Sequence, residues 1–415
     1  MEILVLFCLL VSTAESSTAS STTTKSVSAS CAATTPQQPP HHDGRLVLEA
    51  ILANDYAAFD DAEQESKPLS ECLNALKNRG AHRCWHKHST FLDHLLGVHN
   101  ILRLWGESVT VGLVGLFHSA YSNSYVNLAL YDPQTERKIM QELIGNKAED
   151  LVYMYCIIDR QEVVVNTLLK NGYIPKDGLY VPHLRYPDDE SKRVYLSPET
   201  LRMLVVFTMA DTADQYFGWQ DQLFGGGGDQ GSMIIPGKDF GPSNHDATAL
   251  WPGVSRPGLW MSYISELAKV ARTFYDDGAT HDSPSMPPVF AGGTETLSVE
   301  DEAAARDLYW SVVSGQVTDR EQVRKTLEEC SRKNPWAFEP LVLLAQCHIH
   351  RNDFEATLRV TSRALELQQQ WGTAWDKRLA FSAWVAWTRV LHQRAQEQTP
   401  WPVNSWEVNN LGLVR

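Results

Sequence analysis

The chain has 415 residues, 43% of them hydrophobic and 21% charged, with 36 basic against 50 acidic side chains and a formal net charge of −14. That length suits two or three domains and is ample for a buried core. The acidic balance argues against non-specific nucleic-acid binding, which needs a basic footprint, and the composition rules out collagen, coiled coil and global disorder. After the first dozen residues no apolar run is long enough to span a bilayer.

The amino terminus reads as an address. Residues 3–11 form a short apolar block followed by Ser12, Thr13 and Ala14, the pattern of a secretory signal peptide over residues 1–14, although Glu2 stands where a basic residue is usual. Residues 15–44 are rich in Ser, Thr and Pro and cannot bury enough surface to fold, so they are expected to form a disordered linker or further targeting segment. A signal followed by a hydroxyl-rich, acid-poor stretch also fits a bipartite plastid presequence. Secretory-pathway import is therefore the expected localisation, ending in secretion or in a plastid. Removal of Cys8 with the signal leaves Cys31, Cys72, Cys84, Cys156, Cys330 and Cys347. Their scattered spacing contains no CxxC pair and fits neither a zinc cluster nor a dense disulfide framework.

Helical patterns begin at Arg45. Leu46, Ala50 and Ala53 point to a first helix, and Leu69, Leu73 and Leu76 to a second that Gly80 ends. A helix over residues 89–105 repeats apolar residues at Leu92, Leu95, Val98, Leu102 and Trp105. The next, over residues 109–118, carries Gly112 and Gly115, which let another element approach closely. Residues 148–169 read as one or two helices. Ser197-Pro198-Glu199 opens an amphipathic helix to residue 216, and another covers residues 260–275. Between these two lies a Gly- and Pro-rich stretch, residues 218–258. Its run Gly225 to Gly228 lacks the following GK[ST] of a phosphate loop.

From Leu297 the pattern changes to helical hairpins. Residues 338–371 resemble one tetratricopeptide unit, with Leu344, Ala345 and His348 on its first helix and the Ala364-Leu365-Glu366-Leu367 run ending its second. A shift of 34 residues places Cys330 under Ala364 and Trp310 under Leu344, a faint echo of the tetratricopeptide period. Trp371, Trp375, Trp384, Trp387, Trp401 and Trp406 are expected to fill the core of this region. The fold class is all-α, with a helical domain over residues 45–280 and a helical-hairpin, TPR-like region over residues 297–415.

Three segments could carry chemistry together: His88-x5-His94, the run Gly115-Leu116-Phe117-His118-Ser119, and Ala210-Asp211. His94 shares a helical face with Val98, Ile101 and Trp105. His118 ends a nearly apolar helix, and Asp211 continues the inward stripe of Leu201, Leu204 and Thr208. A carboxylate on such a stripe is costly unless it is paired or bound to a metal. Two imidazoles and a carboxylate on separate helices suit a divalent transition metal such as Fe, Mn, Zn or Co.

Residues 88–125 (HSTFLDHLLGVHNILRLWGESVTVGLVGLFHSAYSNSY) closely resemble an uncharacterised family of HD-domain-like proteins, and the resemblance continues through Asp159-Arg160 to Ala210-Asp211. The wider HD superfamily consists of helical, metal-dependent phosphohydrolases with ligands in the order His, His-Asp, Asp. The resemblance implies an HD-like bundle in which His94 is the first ligand, His118 the histidine of the pair and Asp211 the last aspartate. Ser119 stands where the superfamily has aspartate, so a one-metal site is implied, with His88 a fourth candidate ligand.

Each of these residues also has a plainer reading. His88 could cap the following helix or face substrate, and His99 reads as structural. Asp93 is expected in a local salt bridge, and Asp159-Arg160 in an ion pair, with Arg160 alternatively anchoring substrate. Tyr121 and Tyr125 could line a pocket mouth or simply pack, and Ser119 could donate a hydrogen bond to substrate or cap a helix end. Two functions follow. One is a single-metal hydrolase of a small phosphoester or related substrate, using Ser119 and Arg160 at the site. The other is a catalytically inactive helical domain that binds a ligand, or a protein through its C-terminal helices.

Overall fold

The computed structural model describes residues 43–60, 65–86, 89–124, 126–219, 255–276, 287–293 and 297–408. The expected signal peptide, nearly all of the expected linker, His88, Tyr125 and most of the Gly-rich stretch fall outside the described residues. The architecture is all-α, interrupted among the described residues by two small antiparallel strand pairs: β1 (Trp85–His86) with β2 (Ser89–Thr90), and β3 (Leu179–Val181) with β4 (Val194–Leu196).

Among the described residues, eight α-helices precede the C-terminal region. They are α1 (Gly44–Ala53), α2 (Leu69–Asn78), α3 (Phe91–Leu104), α4 (Val109–Phe117), α5 (Arg137–Ile144), α6 (Asn146–Ile157), α7 (Pro198–Gln215) and α8 (Met261–Asp276). Between α6 and α7, Gln161–Leu169 winds as a π-helix, a geometry that is rare and recurs at functional sites. Local sequence sets the starts. Thr90 and Asp93 form a reciprocal capping box at α3. Ser108 caps α4, and Ser197 caps α7 with Pro198 in its first turn.

The α3–α4 pair is the frame of the molecule. A side chain at Gly115 would put its Cβ 2.6 Å from Leu102 Cδ1, and one at Gly112 would sit 2.6 Å from Arg103 Cδ. The two glycines therefore allow the close approach expected of them. α7 packs across α3 and α8 lies against α7. The stripe of Leu95, Val98, Ile101 and Leu102 on α3 is buried, each such side chain contributing roughly 1.5–3 kcal/mol.

After the short α9 (Pro288–Gly293), the C-terminal region comprises α10 (Val299–Val313), α11 (Arg320–Lys333), α12 (Glu339–Ile349), α13 (Phe354–Trp371), α14 (Phe381–Gln396) and the short α15 (Ser405–Val408). From α10 to α14 each helix packs on the next, and α13 also touches α1 and α3. The two regions share one continuous cluster of buried apolar side chains. Glu302 of α10 joins them directly. Its buried carboxylate accepts the Trp260, Met261 and Ser262 backbone N–H groups and the Ser262 hydroxyl at the start of α8, where the helix presents otherwise unsatisfied donors.

Two expectations about packing need correction. Trp371, Trp375 and Trp384 are buried, and Trp387 and Trp401 pack partly against the core, but Trp406 on α15 is 80% exposed. In α1 the inward residues are Leu48 and Ala50, while Leu46 in the first turn is exposed. Cys72, Cys84, Cys156, Cys330 and Cys347 are free thiols. No helix among the described residues is long and apolar enough to cross a membrane.

Candidate metal centre

The capping box fixes the phase of α3, so Asp93 faces outward onto Thr90 and His94 turns into the interior. Asp93 is thus a cap, not a salt-bridge partner. His118 is the residue that ends α4, and Asp211 lies in the last turns of α7. These three side chains come from separate helices and are 3%, 4% and 5% exposed. One ligand atom from each lies within 4.8 Å of the others. It is the trio expected from the sequence.

Both imidazoles are held through Nδ1. His94 Nδ1 donates to Asp214 Oδ2 at 2.7 Å, and His118 Nδ1 donates to the Gly115 carbonyl at 2.7 Å. For His118 that bond assigns the ring proton to Nδ1 and leaves Nε2 as a free lone-pair nitrogen, whereas His94, bonded to carboxylates through both ring nitrogens, offers Nε2 once its proton there is displaced. His94 Nε2 stands 3.3 Å from Asp211 Oδ1. Asp211 is held in turn by Arg160 Nη2 on Oδ2 at 3.1 Å and by Gln215 Nε2 on Oδ1 at 3.0 Å. His86 Nε2 lies 3.4 Å from the Gln215 amide oxygen. The His94 and His118 rings meet edge to face at 5.3 Å, and Phe207 lies against both His118 and the Arg160 guanidinium.

This surrounding separates the two histidines electrostatically. Burial alone disfavours a charged His94, but its hydrogen bonds to Asp211 and Asp214 outweigh that and raise its pKa to about 9. His118 has no carboxylate hydrogen bond. Burial, with the nearby charges of His94 and Arg160, lowers it to about 3 and leaves it a neutral lone-pair donor. Burial opposes ionisation of Asp211, yet the His94 hydrogen bond and the Arg160 charge hold its carboxyl well below the usual range.

The donor set fits a divalent metal. Neutral or displaceable imidazole nitrogen plus carboxylate oxygen suits Zn, Fe, Mn or Co. Three protein ligands are the number found where a fourth position stays open for chemistry. Histidines whose other nitrogen is fixed by a carboxylate and by a backbone carbonyl have the outer-shell arrangement usual for metal ligands.

The remaining site candidates distribute as follows. Arg160 reaches the cluster, but its partner is Asp211. Asp159 instead accepts the Gln161 and Glu162 backbone N–H groups at the start of the π-helix. Adjacent residues there point apart, so the expected Asp159–Arg160 pair does not form. Ser119 is fully buried and accepts a hydrogen bond from Asn123 Nδ2 at 2.9 Å; it is not one of the three clustered ligands. Tyr121 is buried with its hydroxyl on Glu149, and His99 is buried against Phe59 with Nδ1 bonded to Asn100. Sequence reasoning missed Asp214 and Gln215. The signal was the spacing Asp211-x-x-Asp214, which puts two carboxylates on one helical face.

Comparison with known families finds a match to a family described as Domain of unknown function (DUF6817), over residues 75–160. That segment carries His94, His118 and Arg160, while Asp211 and Asp214 lie beyond it. No curated protein and no solved structure matches the chain.

Proposed function

We propose that the protein is a single-metal hydrolase of the HD type, acting on a small phosphoester or related substrate. The observation that carries this reading is the paired fixing of His94 by Asp214 and of His118 by the Gly115 carbonyl, beside the carboxylate of Asp211. His94, His118 and Asp211 would hold the ion, which supplies Lewis acidity to activate water and to offset charge on a phosphoryl oxygen. Arg160 keeps one Asp211 oxygen occupied and so orients the other toward the histidines. Ser119, engaged by Asn123, offers no bridging carboxylate, which supports one metal and not two. The net charge of −14 favours a small substrate over a polyanion.

The burial of all three ligands supports a second reading, in which the ion serves folding or ligand binding without turnover. In that reading the C-terminal helices supply a surface for a protein partner. Metal-reconstituted wild type, assayed against a panel of small phosphomonoesters and phosphodiesters beside His118→Ala, separates the two. Turnover that needs both metal and His118 supports the hydrolase. Stoichiometric metal without turnover on any member of the panel supports the binding module.

A further inference from the structure

Asp214 is positioned from three sides, two of them on α3. On one side it meets α3 at Gly97, one turn beyond His94. A Cβ at position 97 would lie 2.0 Å from Asp214 Oδ1, closer than any real contact, so only glycine leaves room for this carboxylate. On the second side its Oδ2 takes the His94 Nδ1 proton at 2.7 Å. The third side comes from the C-terminal region. Lys377, in the turn between α13 and α14, sends its ammonium to the Ala213 carbonyl at 2.6 Å, next to Asp214 in the last turn of α7. The same ammonium donates to Thr373 Oγ1 and to the Ala374 carbonyl, both at 2.9 Å. A cation at a helix C-terminus is favourable in itself, and here it also fastens the end of α7 to a segment more than 160 residues away in sequence.

We infer that Asp214 is the positioning residue of the metal centre, seated by the absence of a side chain at Gly97 and secured by Lys377, so that the C-terminal helices form part of the site. This rests on the metal-centre reading above. Asp214 does not touch the ion in this assignment. It holds the His94 ring in one orientation and one tautomer, which is the role outer-shell carboxylates play for metal-binding histidines. Gly97 is the glycine of the Asp93-His94-Leu95-Leu96-Gly97 run, and the inference gives that glycine a reason: it makes space for a carboxylate from another helix.

The test uses the full chain and Co2+ alone as the probe, with affinity read by chelator competition and coordination by the visible absorption of the bound ion. Asp214→Asn is expected to weaken Co2+ binding about 10- to 100-fold and to change the absorption envelope, with Asp214→Glu restoring part of both. Gly97→Ala should reproduce the loss by displacing the carboxylate, and Lys377→Met should produce a smaller loss. Thermal melts of the metal-free variants separate this effect from general destabilisation. Wild-type affinity and spectrum in Asp214→Asn would overturn the positioning role, and an unchanged Lys377→Met would overturn the part assigned to the C-terminal helices. If wild type itself takes up no Co2+, the metal-centre reading falls and this inference with it, an outcome distinct from equal binding by wild type and Asp214→Asn.

Discussion

Glu107 and Arg202 form a two-pronged ion pair in the interior, with Nη1 at 2.5 Å and Nη2 at 3.1 Å from the two carboxylate oxygens and both residues at most 3% exposed. Glu107 lies in the short connection between α3 and α4, and Arg202 in the first turns of α7. The pair therefore ties the two histidine-bearing helices to the helix that carries Asp211. Tyr275 on α8 adds its hydroxyl as a third partner, 3.0 Å from Arg202 Nη1. Arg202→Met is expected to cost about 3–5 kcal/mol, because it strands a buried carboxylate. Adding Glu107→Leu should recover much of that loss. Urea midpoints of the single and double variants check this, and a single variant as stable as wild type would contradict it.

Stability should also depend on pH through Glu339 in the C-terminal region. Its carboxylate accepts the Asp376 backbone N–H, and burial pushes its pKa from an ordinary 4.5 up to about 8. Between those values the folded chain keeps a proton that the unfolded chain has released. Stability present below pH 4.5 is therefore lost as pH rises toward 8, by about 1.4 kcal/mol per unit from this group. Glu339→Gln removes the titration. Wild type should lose ground to Glu339→Gln as urea midpoints are followed from pH 5 to pH 8, and parallel curves would show that Glu339 does not titrate in this range.

Ser119 offers a direct check on the number of metals. Its hydroxyl is bonded to Asn123 and it does not join His94, His118 and Asp211. Ser119→Ala is expected to keep the wild-type metal content while losing about 1 kcal/mol of stability with the hydrogen bond. Loss of metal in Ser119→Ala, read by elemental analysis, would make Ser119 a ligand and require a different description of the site.

Much of this arrangement is legible in the sequence because local rules govern it. Thr90, Ser108 and Ser197 mark helix starts, and a carboxylate at Asp211 on an apolar stripe demands a partner. What the sequence does not reveal are relationships across elements. Asp214 looks like the polar end of a helix until Gly97 is found beneath it. Asp159 and Arg160 look like a pair until the turn into the π-helix separates them, sending one to a backbone cap and the other to Asp211. Trp406 looks like core by composition, yet the last short helix leaves it in solvent. In each case the deciding contact comes from a residue at least fifty positions away or from a local backbone change that residue type does not encode.

If His94, His118 and Asp211 hold one divalent ion, elemental analysis of the purified protein will read it out without need of a substrate. Wild type, His118→Ala and Asp211→Ala should be measured side by side, with circular dichroism to confirm that all three stay helical. The expected result is about one equivalent of Fe, Mn, Zn or Co in wild type, lost from both variants as ligands are removed. Wild type free of metal after supplementation with each of these ions, or metal retained in both variants, would contradict it.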